Sequence, residues 1–205
     1  MATKKTTELP DDALIPLDVL KDMSWYMNFM GLSAEQQQRI KDYGFFEAPA
    51  SSQYHLCHKG GLAEHTLNVI KTALQIRASM DLPLAEKEVV MAAFFHDMGK
   101  AKRYKPNILK SGLQSTAKPY MIETELSLPD CTDSLYAVIA DLKIELPHTV
   151  IMGIIWQNGA FSYDFKKHLP DLAKKKDHMM MAWLIHTADM HSAWIKEHRD
   201  AKAED

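Results

Sequence analysis

Four ionisable side chains sit beside the most apolar stretches of this chain: His65, the adjacent pair His96-Asp97, and Asp189. An unpaired carboxylate next to a buried run costs several kcal/mol or takes up a proton. A divalent cation removes that penalty. Two imidazoles and two carboxylates make a mixed nitrogen and oxygen ligand set, suited to Zn, Mn, Fe, Co or Ni. On the residues alone the alternative stays open: each histidine is a core residue bonded to a backbone carbonyl. Lys100 lies one helical turn beyond His96, where its ammonium could meet a phosphate or, equally, solvent at a helix C-terminus. His55 and His58 precede the long helix that carries His65, and are candidates for donating to a phosphate or a leaving oxygen. The Gly60-Gly61 start of that helix could add backbone N–H groups.

The elements that must hold these residues are helices. Leu17–Met30 reads as a helix closed by Gly31, and Ser33-Ala34-Glu35-Gln36 as a capping box for a short helix ending near Gly44. Phe45–Leu56 reads as a loop. A long helix over Leu62–Met80 carries the stripe Leu62, Val69, Ala73 and Ile76, with His65 inside it. Glu86, Lys87 and Glu88 open the next helix. Its Val89–Phe95 run has no polar residue and so belongs at the centre, ending in His96-Asp97 with Gly99 as the stop. Lys110–Leu128 is the least helical stretch, and a small β-hairpin is expected around residues 112–128. Helices resume at Asp133–Ile144, Pro147–Gln157 and Lys176–His198. The last repeats the earlier pattern, an apolar run (Met179–Ile185) followed by His186 and Asp189.

The composition fits one soluble globular domain: 205 residues, 46% hydrophobic and 25% charged,. Residues 1–7 and 199–205 are polar and expected to fray. A net charge of −3 excludes a strongly basic nucleic-acid footprint,. Lys166-Lys167 and Lys174–Lys176 still leave a local basic patch. Two cysteines, Cys57 and Cys131, make no disulfide framework,. With no secretory signal and no apolar run of membrane length, a cytoplasmic protein without membrane contact is expected. Other residues read blandly: Trp156, Phe161 and Met179–Met181 as core, His148 as a helix start, and His168, His178, His191 and His198 as solvated.

The ordered set His65, His96-Asp97, Asp189 resembles the HD superfamily of metal-dependent phosphohydrolases. Its flanks are similar too: Tyr54-His55, Gly60-Gly61-Leu62-Ala63-Glu64-His65-Thr66-Leu67-Asn68-Val69, Phe95-His96-Asp97-Met98-Gly99-Lys100 and His186-Thr187-Ala188-Asp189-Met190. The resemblance covers about residues 49–194 of a single domain spanning 1–205. It implies an all-α, HD-domain helical bundle of roughly five core helices, with His65, His96, Asp97 and Asp189 as metal ligands. It further implies hydrolysis of a phosphoester or phosphoanhydride in a nucleotide, and pairing into a homodimer is an option.

One branch of the family carries two more histidines between the pair and the last aspartate. Here the corresponding stretches read Pro129-Asp130-Cys131-Thr132-Asp133 and Trp156-Gln157-Asn158-Gly159, without histidine. Gln157 is a poor transition-metal ligand; Asp130, Cys131 or Asp133 could substitute. One divalent transition metal is therefore expected, a second such as Mg being allowed for. The reading expected is a nucleotidase or deoxynucleoside triphosphate hydrolase, with Asp97 binding metal and orienting the attacking water and with Lys100 on the phosphate. The alternatives are a phosphodiesterase or 3′ exoribonuclease, and a degenerate nucleotide-binding member without turnover.

Overall fold

A computed structural model describes residues 17–123, 130–159 and 165–197. The frayed ends expected from the sequence, together with Phe161 and His198, lie outside these residues. The described chain is a helical bundle: α1 (Leu17–Phe29), α2 (Ala34–Asp42), α3 (Gly61–Ser79), α4 (Glu86–Phe95), α5 (Asp130–Tyr136), α6 (His148–Trp156), α7 (Phe165–Leu172) and α8 (Lys176–His191). A two-stranded hairpin, β1 (Tyr104–Pro106) with β2 (Tyr120–Ile122), is its only sheet among the described residues. No helix there is long and apolar enough to cross a membrane.

α4 is the axis of the bundle. All seven residues from Val89 to Phe95 are buried, as a run with no polar side should be,. α3 packs on one side of it and α6 on another, while α8 lies against α3, α4 and α6. The helix ends follow local chemistry. Ser33 and Gln36 cap α2 reciprocally, each side chain taking the other's backbone N–H at 3.2 and 3.0 Å,.

Two local readings change, and a third gains a setting. The segment from Phe45 is a loop, as its sequence reads, but its first residues are buried. Phe45, Phe46, Ala48 and Ala50 are buried, and Phe45 stacks on Phe94 with ring centroids 5.3 Å apart. Two adjacent phenylalanines supply enough apolar area to draw irregular backbone into the core, where Leu62 N–H satisfies the Ala48 carbonyl at 3.0 Å. The hairpin begins earlier than residue 112, because β1 is Tyr104–Pro106, paired antiparallel with Tyr104 opposite Ile122. Pro106 gives no strand signal in sequence, but a two-stranded ribbon leaves an edge where its missing N–H is harmless. Finally, α7 was not foreseen; its Pro170 breaks the helical pattern in sequence,.

Candidate metal centre

α3, α4 and α8 each bring part of the cluster. Gly60 starts α3 in the left-handed region (φ 83°). A Cβ on Gly61 would stand 1.9 Å from the Leu56 carbonyl oxygen, so the approach of the 50s segment to α3 requires glycine,. The role of this pair is steric. The N–H groups of Gly61, Leu62, Ala63 and Glu64 are all taken by backbone carbonyls of His58, Ala48 and Gly60. None is left for a phosphate.

His65 is fully buried on α3 and His96 fully buried at the end of α4. Neighbours on an α-helix diverge by about 100°, so His96 and Asp97 could not aim at one point if α4 simply continued. Asp97 instead leaves the helix (φ −112°, ψ 16°), and a 3₁₀ turn follows over Met98–Lys102. Asp97 Oδ2 then lies 3.3 Å from His96 Nε2 and 3.6 Å from His65 Nε2. From α8, Asp189 Oδ1 approaches the same nitrogens, at 3.1 Å from His65 and 3.9 Å from His96. Ligand atoms of His65, His96 and Asp189 all fall within 4.8 Å of one another.

Both Nε2 atoms are buried and make no hydrogen bond. Their opposite nitrogens are held. His96 Nδ1 donates to the Ala93 carbonyl at 2.7 Å, and His65 Nδ1 to the Glu197 carboxylate at 2.9 and 3.1 Å. A proton fixed on Nδ1 leaves the Nε2 lone pair facing the centre, as a metal-ligating histidine needs. Orphaned, converging nitrogens beside two carboxylates fit a divalent cation.

The charges respond to one another. Burial pulls the His65 imidazole down, but the Asp189 and Glu197 carboxylates outweigh it and raise its pKa to about 10,. Against a burial penalty, Lys100, then His96 and His65, hold Asp97 well below the usual carboxylate range. Asp189 is lowered despite burial by His65, then His96. Lys100 Nζ sits 2.6 Å from Asp97 Oδ2. Asp97, Lys100 and Asp189 line a pocket of about 110 Å³ with Arg103, Ser134, Gln157 and Asn158.

The remaining residues flagged by sequence are spread out. His55 Nε2 lies 3.7 Å from Glu197 Oε2 behind His65, and burial, then His65, lowers its pKa to about 4. His58 is half exposed and turns to the Lys59 carbonyl and Glu64, at 3.0 and 3.6 Å. Gln157 is buried and donates to the His96 carbonyl at 2.7 Å. Asp133 belongs to neither group of metal-ligating side chains among the described residues. Its backbone and Cβ crowd Gly99, where an added Cβ would stand 2.5 Å away. The side chains of Asp130 and Cys131 lie outside the described residues.

Sequence reasoning missed Glu197. It is buried, within a hydrogen bond of His65, and forms a second group of candidate ligands with His55 and His65. That group would need His65 Nδ1, the nitrogen already occupied by Glu197. Asn68, one turn beyond His65 on α3, donates to Glu197 Oε1 at 3.2 Å, a contact that only the fold brings about,.

Residues 62–123, which include His65, His96, Asp97 and Lys100, match the family model of the HD domain. No curated protein and no solved structure matches the chain. Over that segment the chain is similar to the HD domain, the mark of a family of metal-dependent hydrolases.

Proposed function

We propose that this protein is a metal-dependent phosphohydrolase that removes a terminal phosphate or polyphosphate from a nucleotide. One observation carries the reading: the buried Nε2 atoms of His65 and His96 meet the Asp97 and Asp189 carboxylates, which line a pocket together with Lys100 and Arg103. His65, His96, Asp97 and Asp189 would hold the ion. A divalent cation there supplies Lewis-acid polarisation of a phosphoryl oxygen and acidifies the water it holds.

The chain's own groups account for the rest. Asp97 is held ionised by Lys100, His96 and His65, so its carboxylate is available to accept a hydrogen bond from the attacking water and orient it. Lys100 serves as a point charge for the phosphoryl oxygens. The pocket lining supports a terminal group: Lys100 and Arg103 stand beside Asp97 and Asp189 around a pocket of about 110 Å³, a setting that suits a phosphoryl group.

The test is a screen of chelator-free protein. Nucleoside mono- and triphosphates, cyclic dinucleotides and short RNA are offered with Mn, Co, Ni or Mg, beside Asp97→Ala. Release of phosphate or polyphosphate from a nucleotide, lost in the variant, supports the proposal. Cleavage of cyclic dinucleotides or RNA alone would replace it with a phosphodiesterase. Tight binding without turnover would leave a nucleotide-binding protein.

A further inference from the structure

We infer that Glu197 is a positioning residue for the metal centre: its carboxylate fixes the proton of His65 on Nδ1 and thereby presents Nε2 to the ion. The inference rests on the metal-site reading above and extends it to a residue beyond the matched segment.

The placement of Glu197 depends on an irregularity. α8 ends at His191 and continues as a π-helical turn over Ser192–Lys196. A π turn takes up one residue more than an α turn. Glu197 therefore stands where the residue before it, Lys196, would fall in an unbroken helix, two turns beyond Asp189 on the same face. One helix thus supplies both carboxylates that grip His65, Asp189 on Nε2 at 3.1 Å and Glu197 on Nδ1 at 2.9 Å.

Glu197 is itself held from several directions. Asn68 Nδ2 donates to its Oε1 at 3.2 Å, and Asn68 Oδ1 in turn accepts from Lys196 Nζ at 2.6 Å. With the side chain 1% exposed, the carboxylate has little freedom to drift. A histidine ligand oriented this way commonly loses 10–100-fold in metal affinity when its partner is removed.

The experiment titrates Mn(II) or Zn(II) into chelator-stripped full-length protein by calorimetry, at a temperature where each variant is folded by circular dichroism. Glu197→Ala should weaken binding roughly 10–100-fold, and Glu197→Gln, which keeps an acceptor for Nδ1–H, should recover part of it. Asn68→Ala leaves Glu197 in place and should weaken binding by a smaller factor. A merely structural role would lower thermal stability while leaving affinity unchanged, so Ala with wild-type affinity overturns the inference, as does Gln no better than Ala. Where Glu197→Ala fails to fold, Gln and Asn68→Ala decide: both matching wild type overturns it. Wild-type protein that takes up no metal refutes the metal-site reading itself, a result distinct from a variant that matches a metal-binding wild type.

Discussion

His65 Nε2 and Asp189 Oδ1 lie 3.1 Å apart, although the rest of α3, all of α4, the hairpin and the helices α5, α6 and α7 separate them along the chain. The contact closes the centre, because α8 carries none of the other ligands. Asp189→Ala should therefore abolish metal binding while leaving the bundle folded. In the wild type, a metal at a hundredfold excess over its Kd adds about 2.7 kcal/mol, roughly 5–10 °C for a chain of this size. Thermal melts with and without Mn(II) read the shift. A wild-type shift that persists in the variant would count against Asp189 as a ligand.

The charge on His65 makes metal uptake proton-coupled. In the metal-free protein its pKa is raised from 6.5 to about 10. The stability its charge contributes is fully present below about 6.5 and is lost as pH rises through about 10. Asp189 is shifted the other way, so its contribution is present above the ordinary carboxylate pKa and fades as pH falls. A metal needs the neutral imidazole. Binding at pH 8 should release about one proton from His65, measured by calorimetry in buffers of different ionisation enthalpy. Heats independent of the buffer would contradict this.

Much of this site is written in residue types and spacing, and the reason is local. Val89–Phe95 can only be central, which fixes where His96 and Asp97 emerge, and the apolar stripe of α3 fixes His65. Glu197 was not legible, because α-helical periodicity puts Lys196 on that face and a π turn leaves no signature in composition. The bond from Gln157 to the His96 carbonyl needs tertiary proximity to be seen. The early start of the hairpin and the burial of Phe45 and Phe46 were hidden for the same reason: both depend on which surfaces meet.

Gly99 should tolerate no side chain. An added Cβ would stand 2.5 Å from Asp133 Cβ and 2.8 Å from its carbonyl carbon. The clash involves backbone, so relief must move α5 or the 3₁₀ turn that carries Lys100. Gly99→Ala should cost about 1–3 kcal/mol, read as a lower denaturant midpoint. An unchanged midpoint would show that α5 yields without strain.

Gln157 is expected to matter through His96 and not through direct ligation. Its Nε2 meets the His96 carbonyl at 2.7 Å in a buried setting. Removing the donor in Gln157→Ala leaves that carbonyl without this partner, at about 1–3 kcal/mol. Metal affinity should fall less than in His96→Ala, since the His96 imidazole keeps its bond to the Ala93 carbonyl. Equal loss in the two variants would make Gln157 as important as a ligand.

Lys100 separates phosphate recognition from metal binding. Its Nζ is paired with Asp97 Oδ2 at 2.6 Å, and the Asp97 and Asp189 charges raise its pKa in spite of burial, so it stays cationic through the neutral range. Lys100→Ala removes a positive charge beside Asp97, and divalent metal binding should hold or tighten. Turnover should drop by about 10²–10³ if the ammonium stabilises charge developing on the phosphoryl group. A loss confined to KM would assign Lys100 to ground-state binding of substrate. Metal titration and steady-state kinetics on the same preparation distinguish these outcomes, and loss of metal affinity in Lys100→Ala would show that the lysine orders Asp97 for the ion.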